Sequence, residues 1–111
     1  MVTMTLREVC SMVGVTRRTV QGYEKEELVA CTGKNKYGYL LYDEDAVKRI
    51  NEIKMYRDFG FSLKDIKVLL ASSEEEYSKL MSKRLDDMRM ELIKMKANVT
   101  RMEELIANKQ N

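Results

Sequence analysis

Gly14-Val15-Thr16-Arg17-Arg18-Thr19-Val20 decides how this chain is read. Gly14 is a helix stop, because glycine tolerates the left-handed conformation at a C-terminal cap. Thr16 is a helix start, because its hydroxyl can accept a free N–H of the next turn. Arg17 opens a second helix that runs to about Glu27, with Val20 and Leu28 facing inward. Upstream, Thr5-Leu6-Arg7-Glu8 is a capping box. Leu6, Val9, Cys10 and Val13 then fall at i, i+3, i+4 and i+7, one face of a first helix. Two short helices joined by a glycine-containing turn form a helix-turn-helix.

Working outward, residues 29–42 have β-favouring ends around a Gly/Asn/Lys middle. They predict two short strands joined by an exposed loop at roughly Gly33 to Gly38. Asp43 caps a third helix with Ala46, Val47, Ile50 and Ile53 inward and Gly60 as its stop. Ser62 to Asp65 is a second box, opening a short helix with Leu63, Ile66, Leu69 and Leu70 on its apolar face. Ser73 to Glu76 is a third, opening a helix that continues towards the C-terminus.

That last helix carries a heptad repeat. Leu85, Leu92, Val99 and Ile106 take the a positions; Met81, Met88, Met95 and Met102 take d. The stripe is about 38 Å long at 1.5 Å per residue. A small globular unit has no room to bury it, so a second chain is its expected partner. The expected organisation is mainly α, with a compact domain over residues 1–71 and a dimerising coiled-coil helix over 72–111.

Composition excludes several classes of function. The 111 residues carry 20 Lys+Arg against 18 Asp+Glu, a net charge of +2, so any nucleic-acid surface must be a local patch. There is no His, which removes the commonest general base and metal ligand. Two cysteines, Cys10 and Cys31, cannot build a disulfide framework or a four-ligand zinc site. The expectation is a reduced, cytoplasmic protein without metal or cofactor, and not an enzyme. No apolar run approaches the ~20 residues of a membrane span, and no signal peptide is evident.

Four side chains stand out as nucleic-acid contacts. Arg17 and Arg18 occupy the first turn of the second helix, the part of a recognition helix that meets base edges. Lys34 and Lys36, beside Tyr37 and Tyr39, make a cationic, hydroxyl-bearing loop suited to phosphates. Cys10 reads as a small core residue, and the Met repeat as a packed seam. The acids Asp43 to Asp45 and Glu74 to Glu76 are explained by helix initiation.

Residues 4 to about 71 resemble the MerR-type regulators, the family named for mercury resistance. The resemblance rests on Leu6-Arg-Glu-Val-Cys10, Gly14 to Val20, Tyr23-Glu24, Leu28-Val29, Tyr37-Gly-Tyr-Leu-Leu-Tyr42 and Phe59-Gly-Phe-Ser-Leu-Lys-Asp-Ile66, in that order. It implies a winged helix-turn-helix with its wing at residues 29–42, and an antiparallel coiled-coil homodimer. It further implies binding of double-stranded DNA at pseudo-palindromic promoters with an over-long spacer, which is bent and untwisted so that RNA polymerase engages both elements. On this pattern Arg17, Arg18 and Gln21 read bases, Tyr23, Lys34, Lys36 and Tyr39 hold the backbone, and Thr16 and Thr19 belong to the DNA-binding set. Gln21-Gly22-Tyr23 stands where the family has Arg-Tyr-Tyr, and Gly38-Tyr39-Leu40 where it has Gly-Tyr-Arg. Lys34 and Lys36 are the expected substitutes for the missing cations. Past the coil no thiol is present, so metal sensing does not carry over. A minimal member or a segment of a longer regulator both fit, with an unknown effector. The competing readings are a coiled-coil interaction module with weakened DNA binding and a DNA-bending recombination accessory.

Overall fold

The computed structural model describes residues 2–110. Thr5 ends a two-residue strand, β1 (Met4–Thr5), and caps the first helix, α1 (Leu6–Val13). Its hydroxyl accepts the Glu8 N–H at 3.3 Å, and the Glu8 carboxylate accepts the Thr5 N–H at 3.0 Å. This reciprocal pair satisfies two donors that the start of a helix leaves free. The Thr5 N–H first, and the Thr5 hydroxyl donating to Glu8 Oε1 at 3.0 Å second, hold the Glu8 carboxyl below its ordinary range. Gly14, at φ 81°, closes α1 and returns its N–H to the Cys10 carbonyl at 2.9 Å.

Thr16 starts α2 (Arg17–Lys25) by accepting the Thr19 N–H at 3.1 Å. The helix ends at Lys25, short of Glu27, because Glu27 turns left-handed at φ 59° and the Leu28 N–H reaches back to the Tyr23 carbonyl at 3.0 Å. Glu27 is the one non-glycine residue with positive φ among the described residues. A side chain there costs about 1 kcal/mol that glycine avoids. Its ion pair with Lys67, at 3.8 Å and well exposed, offsets little. Glu27→Gly is therefore expected to stabilise the fold by about 1 kcal/mol, read as a higher midpoint in denaturant.

The wing strands are β2 (Gly33–Lys34) and β3 (Leu40–Tyr42), and β1 makes a third member of the sheet, in the order β1-β3-β2. All pairs are antiparallel: Met4 opposes Tyr42, and Lys34 opposes Leu40. The exposed loop is shorter than the expected Gly33 to Gly38, because Gly33 and Lys34 pair with β3.

Asp43 caps α3 (Glu44–Asp58), its Oδ1 accepting the Ala46 N–H at 2.9 Å. Ala46, Val47, Ile50, Ile53 and Tyr56 of α3 are buried with Phe61, and with Ile66 and Leu69 of α4 (Leu63–Ala71). Val9, Val20, Tyr23, Leu28 and Tyr42 complete this core. The chain divides into two compact units, Met1–Ala71 and Ser72–Asn111. The second contains α5 (Glu74–Gln110), 37 residues and about 55 Å long. None of the described residues of α5 is buried.

Candidate nucleic-acid interface

Helix N-termini carry partial positive charge, so acids stabilise the first turn and cations oppose it, each by about 0.3–1 kcal/mol. α1, α3, α4 and α5 each carry at least one first-turn acid, Glu8, Glu44, Asp65 and Glu74 among them. α2 does not: no acid is present, and Arg17 and Arg18 stand there instead. Both are exposed, and so are Gln21 and Lys25, while Val20 and Tyr23 on the opposite side are buried. At 3.6 residues per turn these four polar residues share one face. The result is an anion-seeking helix end with its cations aimed outward.

The wing presents the second set of cations. Asn35 organises its tip: Oδ1 accepts the N–H groups of Tyr37 at 2.9 Å and Tyr39 at 3.0 Å. The Asn35 backbone also bonds Tyr39 and Gly38, each at 3.0 Å. Gly38 takes φ 81°, which closes the hairpin. Lys36 lies over the Tyr37 ring, 5.1 Å from its centroid. Tyr37 is 70% exposed and Tyr39 64% exposed. Lys34, on β2, is also exposed.

Between α1, α2 and the wing lies a cleft of about 410 Å³, lined by Thr5, Leu6, Arg7, Arg17, Gly38, Tyr39 and Leu40. It brings Arg17 and Tyr39 together and adds Arg7, which the sequence reading passed over. A signal was present, because Arg7 is another cation in the first turn of a helix, where the dipole disfavours it. Arg7 also lines the cleft beside Leu40, at the position where the family pattern carries an arginine.

The remaining candidate residues are placed differently. Thr16 and Thr19 spend their hydroxyls on one another, 2.8 Å apart, and Thr16 on capping α2. Tyr23 belongs to the core, with 4% of its surface exposed, and burial raises its hydroxyl pKa. Met88, Leu92, Met95, Val99, Met102 and Ile106 are exposed along α5. So is Leu85, while Met81 is half-buried. Cys10 and Cys31 are free thiols, each half-buried. Among the described residues no group of three or more Cys, Asp and Glu side chains is arranged to hold a metal. No described helix is long and apolar enough to cross a membrane.

A hydrogen bond ties the wing to α2. The Tyr42 hydroxyl donates to Glu24 Oε1 at 2.7 Å. Burial first, and the Glu24 carboxylate second, push the Tyr42 phenol far above its ordinary value. A phenol that resists ionisation in the fold stabilises it fully below its unfolded pKa of about 10, and this is lost as pH rises further. Tyr42→Phe should cost about 2 kcal/mol at neutral pH, because it leaves Glu24 without its partner. It should also weaken the alkaline loss of stability above pH ~10, leaving the part owed to Tyr23. Chemical denaturation of both proteins across that range checks the two effects together.

Comparison with known proteins agrees with this geometry. Residues 4–73 match the family model described as "MerR HTH family regulatory protein". The nodulation protein NolA of a Bradyrhizobium strain is 35% identical over 60 residues, which is 54% of this chain and 25% of that protein. The chain thus spans about a quarter of that relative's length. The structure of a MerR family transcriptional regulator from Bacillus cereus superposes with a TM-score of 0.84 at 21% identity, covering 99% of this chain and 84% of that one. HiNmlR, a MerR family regulator lacking the sensor domain and solved bound to promoter DNA, gives 0.71 at 21% identity, covering 88% and 79%. These likenesses carry the fold, and the family match spans well over half of the chain: the protein belongs to the MerR family of helix-turn-helix regulators.

Proposed function

We propose that this protein is a homodimeric, sequence-specific DNA-binding transcription regulator acting in the cytoplasm on a pseudo-palindromic promoter. Residues 1–71 are the DNA-binding domain and residues 72–111 the dimerisation helix. The observation that carries the reading is the inverted charge of α2, whose first turn holds Arg17 and Arg18 where the chain's other helices hold acids.

Arg18 and Gln21 read base edges in the major groove, since Arg pairs bidentately with guanine and Gln with adenine. Arg17, Arg7 and Tyr39 hold phosphate at the cleft, and Lys34 and Lys36 extend the grip along the wing. Tyr23 serves from beneath, as packing under α2. Arg7 and the wing lysines take the place of the arginines that Gln21 and Leu40 replace.

α5 supplies the dimer. Its a and d residues form one apolar stripe, and a second copy running antiparallel covers it. Two recognition helices then meet major grooves one turn (~34 Å) or a multiple apart. Bending and untwisting the spacer brings both promoter elements to RNA polymerase. HiNmlR, with its promoter DNA, supports the DNA-binding part of this reading.

Selection on a random duplex library, repeated across salt concentrations, tests the proposal. An enriched inverted repeat with a steep salt dependence is the expected result. No enrichment from a folded dimer would transfer the function to the coiled coil alone.

A further inference from the structure

We propose that the column of methionines at the d positions of α5 is an oxidation site that dissolves the dimer and releases the DNA. The inference rests on the dimer proposed above. Four successive d positions, Met81, Met88, Met95 and Met102, are thioethers, whereas the a positions are Leu85, Leu92, Val99 and Ile106, which peroxide does not attack. Leucine at d would pack with better definition, since methionine is flexible and specifies a seam poorly. The repeat therefore gives up packing order at one column and keeps it at the other. What the d column gains is chemistry: thioether sulfur is the oxidisable group of an otherwise inert apolar stripe.

The step is simple and balanced. A sulfur lone pair attacks one oxygen of hydrogen peroxide, an S–O bond forms and the O–O bond breaks. The proton on the sulfur-bound oxygen passes to the departing hydroxide, which leaves as water. The thioether is oxidised to a sulfoxide and the peroxide is reduced. In the single chain Met88 is 38% exposed, Met95 64% and Met102 62%, so the thioethers are open to an aqueous oxidant whenever the helices part. A sulfoxide oxygen needs a hydrogen-bond donor, and the apolar a column has none to give. Re-forming the dimer then buries an unpaired polar group at each oxidised layer, in both chains. Each such group weakens association roughly tenfold. Oxidation accordingly traps the monomer, until methionine sulfoxide reductases restore the thioether.

The test uses the full chain carrying Cys10→Ser and Cys31→Ser, which removes thiol oxidation from the result. Its dimer constant is measured by sedimentation before and after hydrogen peroxide, and peptide masses locate the added oxygen. The expected result is oxygen on Met88, Met95 and Met102, a dimer constant at least 100-fold weaker, and recovery with the reductase pair. Replacing Met81, Met88, Met95 and Met102 together by Leu should leave the dimer intact under the same treatment. Oxidised seam methionines with an unchanged dimer constant overturn the inference. So does a Leu variant that falls apart equally, which would assign the effect to methionines outside the column. An untreated protein that is already monomeric overturns the dimer reading itself, which separates the two failures.

Discussion

Leu92→Asp is expected to leave the protein monomeric at micromolar concentration. Leu92 sits at an a position near the middle of the stripe from Met81 to Ile106 and is 56% exposed in the single chain. Its place near the midpoint keeps it inside the seam whichever way the second helix runs. A carboxylate buried there without a partner costs about 3 kcal/mol, and each dimer would carry two. That is about 6 kcal/mol of association free energy, or roughly four orders of magnitude in the dimer constant. The buried core residues lie between Val9 and Leu69 and Leu92 is not among them, so the unit of residues 1–71 is expected to keep its fold. Sedimentation velocity reads the change directly. An intact dimer would dismiss the proposed seam. The monomer should also lose its preference for an inverted repeat over a single half-site, since nothing then links the two recognition helices.

Arg18→Ala is the second large effect. Arg18 is exposed and makes no hydrogen bond or ion pair among the described residues, so its loss leaves the fold alone. In the proposed complex it makes one bidentate contact to a base, worth about 1–3 kcal/mol. Affinity for the selected site is expected to fall by roughly ten- to a hundredfold, with relaxed preference at the base it reads. Lys36→Ala is the control: it should weaken all duplexes alike and lower the salt slope by about 1. An Arg18→Ala protein with unchanged affinity and unchanged sequence preference would remove Arg18 from the base-reading set.

Much of the helical frame was legible because helix boundaries are written in local chemistry. Thr5, Thr16, Asp43, Ser62 and Ser73 each accept a backbone N–H three residues on, as their positions in the sequence implied. Gly14 stops α1 in the left-handed conformation that its residue type predicts. β1 was not legible. Two residues offer no alternating pattern, and Met4 and Thr5 become a strand only because Tyr42 and Leu41 lie opposite. The early end of α2 was hidden for a related reason: nothing about Glu27 as a residue type announces a positive φ.

The candidate site divides along the same line. Arg17, Arg18, Lys34 and Lys36 were read from local position, and all four are exposed. Arg7 was missed because its cleft is completed by Gly38, Tyr39 and Leu40, far along the chain. The resemblance implies a DNA contact for Tyr23, yet it lies three residues after Val20, on the side of α2 that the core covers. The i, i+3 spacing from Val20 to Tyr23 places both on that side. The bond from Tyr42 to Glu24 joins residues 18 apart, a pairing that local spacing does not reveal.

The Asn35 side chain has a consequence for how this surface can change over time. Its carbonyl oxygen holds the tip of the wing by accepting backbone N–H groups, so the loop's shape does not depend on the side chains of Lys36 and Tyr37. Those two positions are free to vary while the hairpin keeps its form. A lineage could swap the fingertip for a longer, shorter or less charged one and retune its hold on a groove without refolding the domain. The residue to expect as invariant is then the uncharged asparagine behind the tip, and the residues to expect as variable are the ones proposed to touch.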